Sequence, residues 1–67
     1  MEITFNNHTR QIEAKTSIQH ILDNWIGEKQ KGIAVAVNET VVPKTQWNSY
    51  ELQHNDKVLV IKATQGG

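Results

Sequence analysis

The residues with the clearest chemical potential are the last two, Gly66 and Gly67. Neither has a Cβ, so together they make a thin segment that can thread a narrow enzyme tunnel. The α-carboxylate of Gly67 is ionised at neutral pH, because such groups titrate near pKa ~3.5. One of its oxygens can attack the α-phosphate of a nucleotide and give an acyl adenylate. A chain built this way is a substrate or carrier that other enzymes activate. The plain alternative is an idle end left by chance or trimming, since chain termini are commonly poorly ordered.

Other reactive groups are sparse. The chain has no cysteine, so neither disulfides nor thiolate–metal ligation can supplement its core. Any sulfur it carries cannot sit on a cysteine side chain. His8, His20 and His54 are scattered, with no carboxylate or cysteine at ligand spacing, so no metal site is expected. No Ser/His/Asp set, paired carboxylates or phosphate-cradling loop stands out. The 67 residues make one small domain, without room for a classical catalytic pocket and its supporting shell.

Seven basic and seven acidic residues cancel, which argues against a nucleic-acid binder needing a basic stripe. The apolar run Ile33–Val37 is too short to span a membrane. The start, Met1-Glu2-Ile3-Thr4-Phe5, lacks a basic and then apolar leader, so a cytoplasmic, unprocessed protein is expected.

The elements that must present the diglycine follow from periodicity. Residues 2–6 alternate, with Ile3 and Phe5 on one face, and read as a strand. Asn6-Asn7-His8 supplies turn chemistry, and residues 9–14 alternate again around Ile12 and Ala14, which predicts a hairpin. Thr16-Ser17-Ile18-Gln19 fits a capping box with Thr16 as the cap. Ile18, Ile21, Leu22, Trp25 and Ile26 then form one helical stripe, which places Trp25 in the core, and Gly27 is a stop.

Ile33–Val37 is apolar on both faces and reads as a central strand. Asn38-Glu39 predicts a tight turn and Thr40–Val42 a short strand, kept to an edge or end by Pro43. Residues 44–54 read as irregular, anchored by Trp47, Tyr50 and Leu52, with Trp47 bracing the segment by packing. Asn55-Asp56 is a turn and Lys57–Lys62 the last strand. Its apolar run Val58, Leu59, Val60 and Ile61 serves the core with one face. The other face is either covered or a docking patch, and the outward pair is either Leu59 and Ile61 or Val58 and Val60. The expectation is an α+β domain over residues 1–62, with a flexible tail over 63–67.

That order of elements, with a protruding diglycine, resembles the β-grasp, ubiquitin-like fold: a mixed sheet of four to five strands packed on one helix. The local words are narrower. Ala36-Val37-Asn38, Val41-Val42-Pro43-Lys44, Trp47, Leu52, Asp56 and Gly66-Gly67, in that order, resemble the sulfur carrier family of thiamine biosynthesis. The resemblance spans essentially the whole chain. Two positions depart from it: Asn55 stands where the family often has glycine, and Lys44 where it commonly has arginine. Asn tolerates a left-handed turn, so the geometry should survive. Lys lacks the planar fork of Arg, so a bidentate contact at Lys44 would be lost.

The resemblance implies a cycle rather than an enzyme. An adenylyltransferase of the ubiquitin-activating type would transfer AMP to the Gly67 carboxylate, using its own ATP and Mg2+. A persulfide loaded by a cysteine desulfurase would displace AMP and leave a thiocarboxylate. Thiazole synthase would accept that sulfur. The chain itself would bind no cofactor. Three alternatives remain open at this point: a carrier for molybdopterin synthesis, a ubiquitin-like modifier joined to lysines, and a β-grasp interaction domain with an idle tail.

Overall fold

A computed structural model of the chain describes residues 1–62. Strand β1 (Glu2–Phe5) turns into β2 (His8–Gln11), followed by helix α1 (Ile18–Trp25), β3 (Ile33–Val37), β4 (Thr40–Val42), a 3-10 turn (Lys44–Gln46) and β5 (Lys57–Lys62). The five strands lie in the order β2-β1-β5-β3-β4. β1 and β5 run parallel, and the other neighbours are antiparallel. α1 covers one face. No helix of the described residues is long and apolar enough to cross a membrane.

The two hairpins are set by their loop residues. Asn6 and Asn7 have φ of 50° and 70°, and Asn38 and Glu39 have 51° and 73°. Two-residue hairpin loops with both φ positive match the twist of the flanking strands. Asn suits this region because its short side chain bonds locally, whereas Glu gains nothing there. The first hairpin forms as expected, but β2 ends at Gln11, so Ile12 and Ala14 lie beyond it.

The helix begins one residue later than the capping box suggests. Ser17 is the N-cap, and its hydroxyl accepts from the His20 N–H at 3.1 Å. Thr16 instead donates to the Glu13 carbonyl at 2.6 Å. The Gln19 amide does not reach back to the cap. It donates to Asp23 and to Gln30, each at 2.9 Å. The other free N–H groups of the first turn are met from outside: Ile18 donates to Tyr50 O and Gln19 to Trp47 O, each at 3.0 Å. At the far end Gly27 has φ +66° and donates to Leu22 O at 2.9 Å, a left-handed stop.

Ile3, Ile18, Ile21, Leu22, Val35, Val37, Val42, Trp47, Leu52 and Val58 form the core between helix and sheet. Trp47 is 2% exposed and its indole N–H donates to the Val42 carbonyl at 2.9 Å, so it does brace the segment after β4. Trp25 departs from expectation. It is only partly buried, its ring meets Phe5 edge-on at 4.9 Å, and the Arg10 guanidinium lies 4.0 Å from its centroid. The stripe has rotated Trp25 to the margin of the sheet, where a cation covers the ring.

The Asn38-Glu39 turn makes a stability prediction. Glu39→Gly should stabilise the domain by about 0.5 kcal/mol, the relief of left-handed strain less the added freedom of the unfolded chain. Urea unfolding followed by Trp fluorescence would measure it. A lower midpoint would mean that the Glu39 side chain makes a stabilising contact.

Candidate functional site

β5 is the middle strand and runs to Lys62, so whatever the tail does is presented by it. Against β3 its register pairs Val58 with Val37, Leu59 with Ala36, Val60 with Val35, Ile61 with Ala34 and Lys62 with Ile33. Residues alternate between faces along a strand. Val35, Val37 and Val58 belong to the core, and Val60 packs against it. Leu59 and Ile61 therefore face away from the helix.

This settles which pair is outward. Val58 is 0% exposed, so it cannot be a docking residue, and Val60 is engaged with the core. The physical reason is the helix, which takes the Val58–Val60 face. Ile61, by contrast, is 53% exposed.

Three further residues complete the outer face. Ala34 and Ala36 stand opposite Ile61 and Leu59, and Val41 of β4 stands opposite Ala36. Val41 is 67% exposed. Five apolar side chains thus lie across three strands, with the two alanines leaving a shallow centre. Sequence reasoning missed Ala34, Ala36 and Val41. The signal was the alternation of Ala with Val along Ile33–Val37, small residues on one face and branched ones on the other.

Asparagine side chains hold β5 in place. Its ladder with β1 is short, pairing Thr4 with Lys57 and Phe5 with Val58. Asn6 extends it: its N–H donates to Val58 O at 2.9 Å and its Oδ1 accepts from the Val60 N–H at 2.7 Å. Asn38 secures the start, accepting from the Lys57 N–H at 2.9 Å and donating to Asp56 Oδ1 at 2.9 Å. Asp56, 8% exposed, also accepts from the Gln53 N–H at 2.8 Å. Asp56 is more than a turn residue: its carboxylate joins two loops. Asn55 takes φ of 72°, the left-handed geometry expected of it.

Lys57, exposed at the start of β5, shares the outer face with Leu59 and Ile61. The Asp23 carboxyl is held below its ordinary value by hydrogen bonds from Gln30 and then Gln19. His54 Nδ1 accepts from the Glu2 N–H at 3.1 Å, a structural contact. Among the described residues no three His, Asp or Glu side chains group at metal-binding distance. Lys44 sits exposed at the start of the 3-10 turn. Gly66 and Gly67, and the tail expected from residue 63, lie outside the described residues.

Helix, mixed five-stranded sheet and strand order define a β-grasp, ubiquitin-like domain. The thiamine biosynthesis protein (ThiS) from Geobacter metallireducens has the same fold, with a TM-score of 0.85 over 100% of both chains at 17% identity. The sequence profile of the ThiS family matches residues 3–67. The sulfur carrier protein ThiS of Escherichia coli (strain K12) is 31% identical over 67 residues, 100% of each chain. The chain belongs to the ThiS family, the sulfur carriers of thiamine biosynthesis.

Asn38 offers a test of how β5 is anchored. Glycine is the most permissive residue at φ 51°, so turn preference alone predicts that Asn38→Gly is harmless. Loss of the bonds to Lys57 and Asp56 should instead cost about 1–2 kcal/mol. Urea midpoints would separate the two. An unchanged midpoint would remove Asn38 from the anchoring set.

Proposed function

We propose that this chain carries sulfur on its C-terminal carboxylate. An oxygen of the Gly67 carboxylate attacks the α-phosphate of ATP, held with Mg2+ by an adenylyltransferase of the ubiquitin-activating type, and pyrophosphate leaves. The acyl carbon, a poor electrophile as a carboxylate, becomes a good one as the mixed anhydride. The terminal sulfur of a persulfide, charged by a cysteine desulfurase, displaces AMP and forms an acyl disulfide. A thiol then cleaves the S–S bond and leaves a thiocarboxylate on Gly67. That soft nucleophile passes to thiazole synthase without free sulfide being released. The chain acts as carrier and co-substrate, not as catalyst, in the cytoplasm where ATP is supplied.

The observation that carries this reading is the alignment with the E. coli sulfur carrier, which covers 100% of both chains and so reaches Gly67. Chemistry supports the place of attachment, since a chain without cysteine has no side-chain thiol to hold a persulfide. Gly66 and Gly67 suit a tunnel that a side chain would jam. Five residues beyond Lys62 reach at most ~17 Å, so the activating enzyme must grip the domain close to its active site. The outer face of β5 suits that grip: Leu59 and Ile61 beside Val41, around the shallow floor of Ala34 and Ala36. Exposed contiguous apolar surface of this kind marks protein contacts.

Two experiments test the parts separately. Intact mass spectrometry after incubation with the activating enzyme, desulfurase and ATP should show one oxygen replaced by sulfur, lost in Gly67→Ala and in the chain lacking Gly67. Lysine-linked adducts instead would make the protein a modifier, and no change with active partners would leave the tail idle. For docking, Leu59→Lys and Ile61→Asp should raise the KM for adenylation by about 10- to 100-fold, as for central interface residues. Stability should change by no more than about 0.5 kcal/mol for the exposed Ile61. An unchanged KM would move the docking surface elsewhere.

A further inference from the structure

The charges of this balanced chain are unevenly spread over the fold. β5 ends at Lys62, which pairs with Ile33 at the start of β3. β4 runs back along β3 as far as Val42, so Pro43 and Lys44 come to the same end of the sheet. Lys31 lies two residues before Ile33 and belongs there too. Lys31, Lys44 and Lys62 are all exposed. Glu28 and Lys29, earlier in the same connector, offset each other. At the far end stand Glu2 at the head of β1, Glu39 in the turn between β3 and β4, and Asp56 just ahead of β5. The end of the sheet at which the tail begins is therefore the basic one.

These three lysines are mounted on held backbone. Lys62 is in the ladder with β3. The Lys44 carbonyl accepts from the N–H of the buried Trp47 at 3.1 Å. Beside Lys31, the Gln30 amide donates to Gly27 O at 2.7 Å and to Asp23 Oδ1 at 2.9 Å, and its oxygen accepts from Gln19 at 2.9 Å. Those bonds tie the connector to α1. None of the side-chain hydrogen bonds among the described residues uses a lysine ammonium. The fold thus places these charges without consuming them. Lys62 also adjoins Ile61, so the basic end is continuous with the apolar outer face.

We propose that Lys31, Lys44 and Lys62 form a basic collar at the root of the tail that meets carboxylates at the mouth of the activating enzyme's tunnel. This inference rests on the carrier reading. Distance selects carboxylates of the enzyme over the phosphates of ATP. An extended tail puts Gly67 up to ~17 Å beyond Lys62. That is about two screening lengths at physiological salt, each ~8 Å. The lysines therefore act where the tail enters, not where it reacts. A chain without net charge has no overall attraction to an acidic partner. Its uneven distribution supplies one: the basic end is drawn in and the acidic end repelled, which turns the tail towards the tunnel before apolar contact forms. Lysine suits this task, because a point charge on a flexible stem needs no fixed partner geometry.

The test follows adenylation of the full chain by the activating enzyme, as ATP–pyrophosphate exchange over a range of NaCl concentrations. Lys31→Glu, Lys44→Glu and Lys62→Glu should each raise KM by about two- to fivefold at low salt, the worth of an exposed ion pair, and leave kcat unchanged. The triple variant should lose the rise of KM with salt that the unaltered chain shows. Lys44→Arg and Lys62→Arg keep the charge and should behave as the unaltered chain. Lys15→Glu makes an equal change in the loop that follows β2 at the far end, and should leave KM unchanged. KM values no higher than that of Lys15→Glu, or a rise that persists at high salt, would overturn the proposal. Calorimetric titration of the enzyme without ATP should show the same loss of affinity. A loss seen only with ATP would assign the lysines to the nucleotide and overturn it too. Adenylation that is normal but independent of salt sinks the collar alone, whereas an unaltered chain that active enzyme does not adenylate sinks the carrier reading and the collar with it.

Discussion

The structure depends on β5 being the middle strand. It is the last element in sequence, yet it lies between β1, the first, and β3. Its parallel contact with β1 joins residues more than fifty positions apart, and the regular ladder there spans only two residue pairs. A central strand with so short a ladder needs other partners, and the two asparagine turns supply them. Asn6 and Asn38 are at positive φ because the hairpins require it, and the same two side chains bond to β5. The loops that reverse β1 and β3 thus also fix the position of the strand between them.

Once β5 is held there, its faces follow. α1 buries the Val58 side, and the other side keeps Leu59 and Ile61 beside alanines. A sheet in which both faces carried large residues would need a second covering layer. Ala34 and Ala36 keep the outer face shallow, so an uncovered apolar surface is tolerated in a small domain with balanced charge.

Most of the architecture was legible because it rests on local signals. The helical stripe from Ile18, the Gly27 stop, the two-residue turns and the limits of β5 are each written within a few residues. What was not legible depended on contacts between distant segments. The helix cap moved from Thr16 to Ser17 because Trp47 and Tyr50 carbonyls meet the first turn, and no local pattern contains them. Trp25 obeys the helical period yet is only partly buried, because it packs near the β2 edge, edge-on to Phe5 and under the Arg10 guanidinium. Val58 and Val60 could not be told from Leu59 and Ile61 by alternation. Only the side on which α1 packs distinguishes them.

The proposed function asks a domain this small to support a reacting end that it does not itself activate. Beneath one helix and five strands, the core takes most of the large apolar side chains. Under that proposal, recognition falls to the sheet and chemistry to the chain beyond it. A central strand serves both needs. β3 flanks it from Val58 to Lys62, and β1 with Asn6 flanks it as far as Val60, so Leu59 lies on a surface held from both sides. An edge strand would fray and blur both. The two edges fall instead to β2 and β4, where fraying leaves β5, between β1 and β3, undisturbed.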